Sequence, residues 1–211
     1  MDRPFLEHKT TNPDGFIAKG RLDSLTDGIF AFAMTLLVIN VELPEDFHPT
    51  SAAELLAGLT RLQDAFIAYI ITFLVLATFW FGRARIREEP EAASAAYAWA
   101  VLFHLFFVTC LPFAMRVVAR YDFAPAVWLY GGNLILLALT AIRISFVVEM
   151  DTKRRIVPDG RIDLAVLITS ALLSMAISLV ATESAMFAYF LNLATPLVHR
   201  WTRRESRLVR D

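Results

Sequence analysis

Six long apolar runs constrain this chain more than any other feature. They cover Leu25–Leu43, Ala65–Phe81, Ala92–Leu111, Ala126–Val148, Leu164–Ala181 and Ser184–Val198. A helix that crosses a hydrocarbon core of about 30 Å needs about 20 mostly apolar residues, and each run has that length or nearly so. None alternates strictly between apolar and polar residues, so the period is that of helices rather than of barrel strands. Six such helices use about 120 of the 211 residues. No soluble domain of ordinary size, about 100–150 residues, fits beside them. The expected fold is therefore all-α, a polytopic membrane protein with six transmembrane helices. The last run is the shortest, and is expected either to lie at the interface or to span a thinned region.

The expected domain plan is an N-terminal tail, 1–24, a six-helix transmembrane domain, 25–198, and a C-terminal tail, 199–211. The first 24 residues are polar and carry Pro4, Pro13 and Gly15. They are not read as a signal peptide, because the apolar run that follows lacks a small-residue cleavage pattern and continues as a full span. Cys110 is the only cysteine, which excludes an intrachain disulfide framework and a cysteine-based zinc site. No nucleophile–base pair, phosphate loop or metalloprotease helix motif is present, so neither an enzyme nor a cofactor is expected. No nucleic-acid partner is expected either. The carbonyl-filter sequence of ordinary potassium channels, Thr-Val-Gly-Tyr-Gly, is also absent.

The net charge of −1 conceals an asymmetry. Sixteen of the twenty Lys and Arg residues lie in the two tails, in the Arg83–Arg87 connection and in the Lys153–Arg161 connection. The opposite side has Arg61, Arg116 and Arg120. Such a bias over short loops places both termini in the cytoplasm and requires an even number of spans. The first external loop, Pro44–Asp64, holds an Ala-Ala-Glu-Leu-Leu helical pattern expected to lie on the membrane surface. The arginine-rich C-terminal tail is read as topogenic charge, with anionic lipid as its other partner.

The first run carries the chemistry. At 3.6 residues per turn, Arg21, Ser24, Gly28, Phe32, Thr35, Ile39 and Glu42 fall on one narrow stripe. A charge at each end, bulky apolar groups and a central hydroxyl suit a narrow pore, in which apolar rings restrict water and a hydroxyl ring touches a partly dehydrated cation. The same stripe also suits a buried packing face, with Thr35 bonded back to its own helix. Asp27, at the membrane edge beside Thr26 and a turn and a half from Arg21, is costly unless paired. It is read either as part of a polar network that holds this end of the helix or as a helix cap in interfacial water. Among weaker signals, Arg143 is expected to pair with Glu149 or to snorkel. His104 and Asn133 are expected as hydrogen-bonded packing groups, and Cys110 as a small buried one.

Arg21-x-x-x-Leu25-Thr26-Asp27-Gly28, followed by Phe-Ala-Phe-Ala-Met-Thr-Leu-Leu-Val, resembles the first helix of the bacterial transmembrane-protein-175 family, the family of the lysosomal potassium channel. The family pattern is Arg-x-x-x-Phe-Ser-Asp with a threonine eight residues after the aspartate, which is Thr35 here. Weaker similarity continues through Phe66–Phe81, Leu111-Pro112-Phe113 and Trp128–Asn133. The resemblance implies a homotetramer around four copies of helix one in the bacterial inner membrane. Its pore passes potassium and other monovalent cations passively, with no bound metal beyond transient potassium. It implies an apolar constriction at Phe32, with Leu36 and Ile39 as further apolar pore positions, and a selectivity role for Thr35. Arg21, Thr26 and Asp27 would form the polar network at the cytoplasmic end. Leu25, Thr26 and Phe32 depart from the family's Phe, Ser and Ile or Leu. The competing readings are a proton-coupled secondary transporter, with Asp27 or His104 taking the proton, and a membrane scaffold that conducts nothing. The transporter reading lacks an inverted repeat or a broken helix pair in the sequence.

Overall fold

The computed structural model describes residues 17–44, 46–84, 92–152 and 159–194. Besides turns and loops, the described residues are helical apart from one two-residue antiparallel pairing, β1 (Ile17–Ala18) with β2 (Ala92–Ala93). The helices are α1 (Lys19–Ile39), α2 (Ala52–Thr60), α3 (Gln63–Ala84), α4 (Ala95–Arg120), α5 (Ala124–Thr152) and α6 (Asp159–Ile177), followed by a 3₁₀ segment, Thr182–Ala194. Among them α1, α3, α4 and α5 are long and apolar enough to cross a membrane. The chain is a multi-pass membrane protein by that measure. α6 begins five residues before the fifth run, with Asp159, Arg161 and Asp163 in its first turns. Of the sixth run, residues 184–194 lie in the 3₁₀ segment, far longer than the usual three or four residues of that geometry.

Helix ends follow local chemistry. Ser94 caps α4, its Oγ accepting the Tyr97 N–H at 3.1 Å. Ser51 caps α2 by accepting from the Glu54 N–H, while Glu54 Oε2 accepts from the Thr50 N–H and hydroxyl, a reciprocal cap. The Thr50 backbone bond, then its hydroxyl, hold the Glu54 carboxyl below its ordinary range. α1 has no side-chain cap, and the β1–β2 pairing fixes its entry instead. It starts at Lys19 rather than Leu25, so the last six residues of the expected tail are already helical.

α4 differs most from expectation. Its sequence run ends at Leu111, before Pro112, yet the helix continues to Arg120. Proline removes one backbone donor and crowds the preceding turn. In a membrane helix, neighbouring groups absorb that loss. Here Pro112 is buried, and its carbonyl accepts from Asn40 Nδ2 at 3.1 Å, which ties the end of α1 to α4.

Cross-links between helix ends give the topology. Trp80 to Asp27, Arg83 to Tyr97, Ser94 to Asp151 and Arg161 to Glu149 gather at one end, with the β1–β2 pairing. Asn40 to Pro112, Glu42 to Arg116 and Trp128 to Ser178 gather at the other. α1 and α4 therefore run parallel, with α3 and α5 antiparallel to them and α6 antiparallel to α5. α4 packs most extensively on α5. Their inner faces supply Val101, Leu105, Val108, Leu111, Leu134 and Leu137, all essentially inaccessible.

Several polar groups inside this core are bonded, as a membrane interior demands. Asn133 Nδ2 donates to the Phe107 carbonyl at 3.1 Å. His104 Nδ1 lies 2.9 Å from Thr140 Oγ1, between the rings of Phe30 and Phe79. Tyr130 and Thr72 share a hydroxyl contact of 2.9 Å. Glu149 pairs with Arg161 at 2.7 Å, not with Arg143. Arg143 is exposed on α5, nine residues before the helix end, about 13 Å away and within snorkelling reach of the interface.

Candidate pore-lining site

α1 is the least self-buried of the four spanning helices. Its most apolar window is 28% buried, against 50% in α4 and 44% in α5. The buried side is Leu22, Thr26, Phe30, Ala33 and Leu37, a spacing of three and four that faces α3 and α4. The stripe legible in the sequence is the opposite side. Arg21, Ser24, Gly28, Phe32, Thr35, Ile39 and Glu42 are all exposed, Phe32 at 68% and Ile39 at 64%. Among the described residues, nothing packs the stripe away.

The stripe has a defined chemistry. Thr35 Oγ1 donates to the Phe32 carbonyl at 2.8 Å, and Ser24 Oγ donates to the Gly20 carbonyl at 2.8 Å. Each hydroxyl spends its proton on its own helix and keeps its oxygen lone pairs available, the arrangement that suits a cation rather than an anion. A Cβ at Gly28 would meet nothing within 4 Å, so that position is open. Beside Phe32 lies a shallow groove of about 290 Å³, lined by Gly28, Ile29, Phe32, Ala33, Leu36 and Thr109. Leu36 is half-buried at its edge.

The three residues read as a polar network are not joined to one another. Thr26 turns into the core, 3% exposed, and donates to the Leu22 carbonyl at 2.8 Å. Asp27 accepts from Trp80 Nε1 of α3 at 2.9 Å. Arg21 is exposed one to two turns earlier, and no ion pair links it to Asp27. What fastens this end of α1 is thus Asp27 to Trp80, a pairing across 53 residues of sequence. Charge-assisted acceptance from an indole N–H offsets part of the cost of a carboxylate at that depth. Trp80 falls within the family-like segment Phe66–Phe81, and no local spacing points to its partner. Thr109 carries no sequence signal of its own. Among the described residues, no group of three His, Cys, Asp or Glu side chains could hold a metal ion.

Residues 21–112 match the sequence model of the family described as Endosomal/lysosomal potassium channel TMEM175. A protein named as a potassium channel from Chryseobacterium sp. (strain P1-3) is 30% identical over 124 residues, 58% of this chain and 61% of that protein. The human protein named Endosomal/lysosomal proton channel TMEM175 is 26% identical over 114 residues, 52% of this chain and 23% of that protein. The chain thus spans about three fifths or less of the length of these curated relatives. In fold, it is similar to a crystal structure described as a lysosomal potassium-selective channel TMEM175 homolog from Chamaesiphon minutus. That similarity has a TM-score of 0.71 and 22% identity, and covers 84% of this chain and 96% of the other. From the first turn of α1 to Pro112 of α4 the chain is thus similar in sequence to the TMEM175 family, and its fold is similar to that of a TMEM175 homologue.

Proposed function

We propose that the chain is a passive cation channel that favours potassium, assembled as a homotetramer around four copies of α1. One observation carries this reading: the α1 stripe, with its apolar constriction residues and outward hydroxyls, is left exposed among the described residues. One helix cannot enclose a path, so the stripe needs symmetric copies, and closed cyclic symmetry is the usual solution. Phe32, Leu36 and Ile39 form the constriction, and Thr35 supplies a hydroxyl ring beside it. The names of the bacterial relatives support potassium as the ion. In a bilayer with potassium on one side and sodium on the other, the reversal potential should move toward the potassium equilibrium value. A silent bilayer, or a reversal at zero, would sink the reading. Thr35→Ala should bring the reversal potential closer to zero with little change in current.

A proton-coupled transporter remains the second reading, because four animal relatives are named as proton channels. Of its two candidate groups, His104 is 1% exposed and faces Phe30 and Phe79, away from the stripe. Flux that saturates and follows a pH gradient would favour this reading over a channel.

In the proposed arrangement α6 and the last apolar segment complete six spans, both tails are cytoplasmic, and the membrane is the bacterial inner membrane. The sixteen-to-three charge bias supports this orientation. Cysteine variants in a Cys110→Ser background test it together with the assembly. Ser206→Cys should label from the cytoplasm and Ser51→Cys from outside, and Phe32→Cys should cross-link neighbouring subunits. Reversed labelling would overturn the topology, and a stable monomer in mild detergent would overturn the assembly.

A further inference from the structure

The α1 stripe ends at Glu42, two residues beyond the helix cap Asn40. Its carboxylate is bonded to Arg116 of α4, Nη2 to Oε1 at 2.6 Å, across 74 residues of sequence. Both side chains are about half open, 49% for Arg116 and 51% for Glu42. An ion pair this exposed contributes little to holding α1 against α4, and the neighbouring bond from Asn40 to the Pro112 carbonyl already ties the two helices. Asp46, Glu54 and Asp64 lie at the same end, in the loop and helices that follow α1. The pair therefore has a place and a charge that packing does not require.

We propose that Glu42 is a cation-entry residue at the outer mouth of the conduction path, and that Arg116 is its built-in counter-charge. The inference rests on the channel reading. Symmetric copies of α1 would bring four carboxylates to the mouth, and a ring of carboxylates raises the local cation concentration. Arg116 offsets that field by holding one guanidinium on each carboxylate, and it fixes where the carboxylate points. The mouth is consequently tuned rather than maximally attractive. Removing one partner should move cation entry one way, and removing the other should move it the opposite way. A merely structural pair would give the same result from either side.

Single-channel recording in symmetric potassium chloride distinguishes these cases, at about 10 mM, where fields reach about 30 Å, and at about 1 M, where they reach about 3 Å. At low salt, R116Q should raise the current of cations entering from this side about two- to fivefold, and E42Q should lower it by a similar factor. At high salt, both should approach wild type. Wild-type currents in both variants at low salt, or losses in both that persist at high salt, would overturn the inference while leaving the channel reading intact. A wild-type protein that conducts nothing would overturn the channel reading and the inference with it. Charge can also be changed after assembly, in E42C on a Cys110→Ser background. A cationic thiol reagent applied from outside should lower the low-salt current, and an anionic one should raise it. Equal responses to the two reagents would overturn the inference without any question of folding.

Discussion

Phe32→Ala should raise single-channel current on the order of three- to tenfold and weaken the preference for potassium over sodium. A ring of large apolar side chains offers an ion nothing in exchange for its water shell, so in the proposed channel the Phe32 ring would act as a dewetting barrier. Taking about 0.7–1.4 kcal/mol off that barrier gives the expected factor. Selectivity should fall in the same variant because an apolar ring discriminates only by how much water it strips. A wider ring lets both ions pass hydrated and moves the Thr35 hydroxyls out of reach of a centred ion. Phe32→Leu keeps the ring apolar with less bulk, and should lie between wild type and alanine on both measures. Recording all three proteins under the same potassium and sodium gradients decides the matter. Unchanged conductance and reversal potential in Phe32→Ala would place the constriction off α1 and return the stripe to an interface between copies.

What could be read from the sequence was what helical period and local charge control. The stripe from Arg21 to Glu42 follows from a 3.6-residue repeat, and each of its residues is exposed as that repeat requires. Four of the six apolar runs coincide with helices long and apolar enough to span, because length and apolarity decide membrane spans, although α4 extends nine residues past its run. Contacts made across the chain left no such trace. Asp27 takes Trp80, and Glu42 takes Arg116, from other helices, and neither choice follows from neighbours in sequence. Glu149 has Arg143 less than two turns away on its own helix, yet it bonds to Arg161 on the next one. Arg161 also lies 4.7 Å over the Phe146 ring, a second attraction that only the hairpin of α5 and α6 creates. Pro112 does not end α4, although a proline removes a helix donor, and its carbonyl takes the Asn40 amide of α1, a contact that no local spacing announces. Thr26 sits next to Asp27 in sequence, but the same helical period turns it into the core, so adjacency in a motif did not mean adjacency in space.

Phe30 and Phe32 are two residues apart and should behave oppositely. Phe30 is 1% exposed, and its ring lies 6.1 Å from that of His104, which in turn lies 5.5 Å from Phe79 and bonds to Thr140. That line of contacts joins α1 to α3, α4 and α5. Deleting a buried Phe ring in a soluble core costs about 3–5 kcal/mol, from lost transfer energy plus the cavity left behind. Lipid tails are as apolar as the ring, so the transfer part shrinks in a membrane and the packing part remains. Phe30→Ala should therefore cost about 3 kcal/mol, at the low end of that range. Phe30→Leu, closer in volume, should cost about 1 kcal/mol. Phe32→Ala, at an exposed position, should change subunit stability by no more than about 0.5 kcal/mol. Unfolding in mixed micelles, followed by helicity, measures all three against wild type. If Phe30→Ala and Phe32→Ala cost the same, α1 is not held to the core by its Phe30 face. The assignment of one side to packing and the other to the pore would then fail as well.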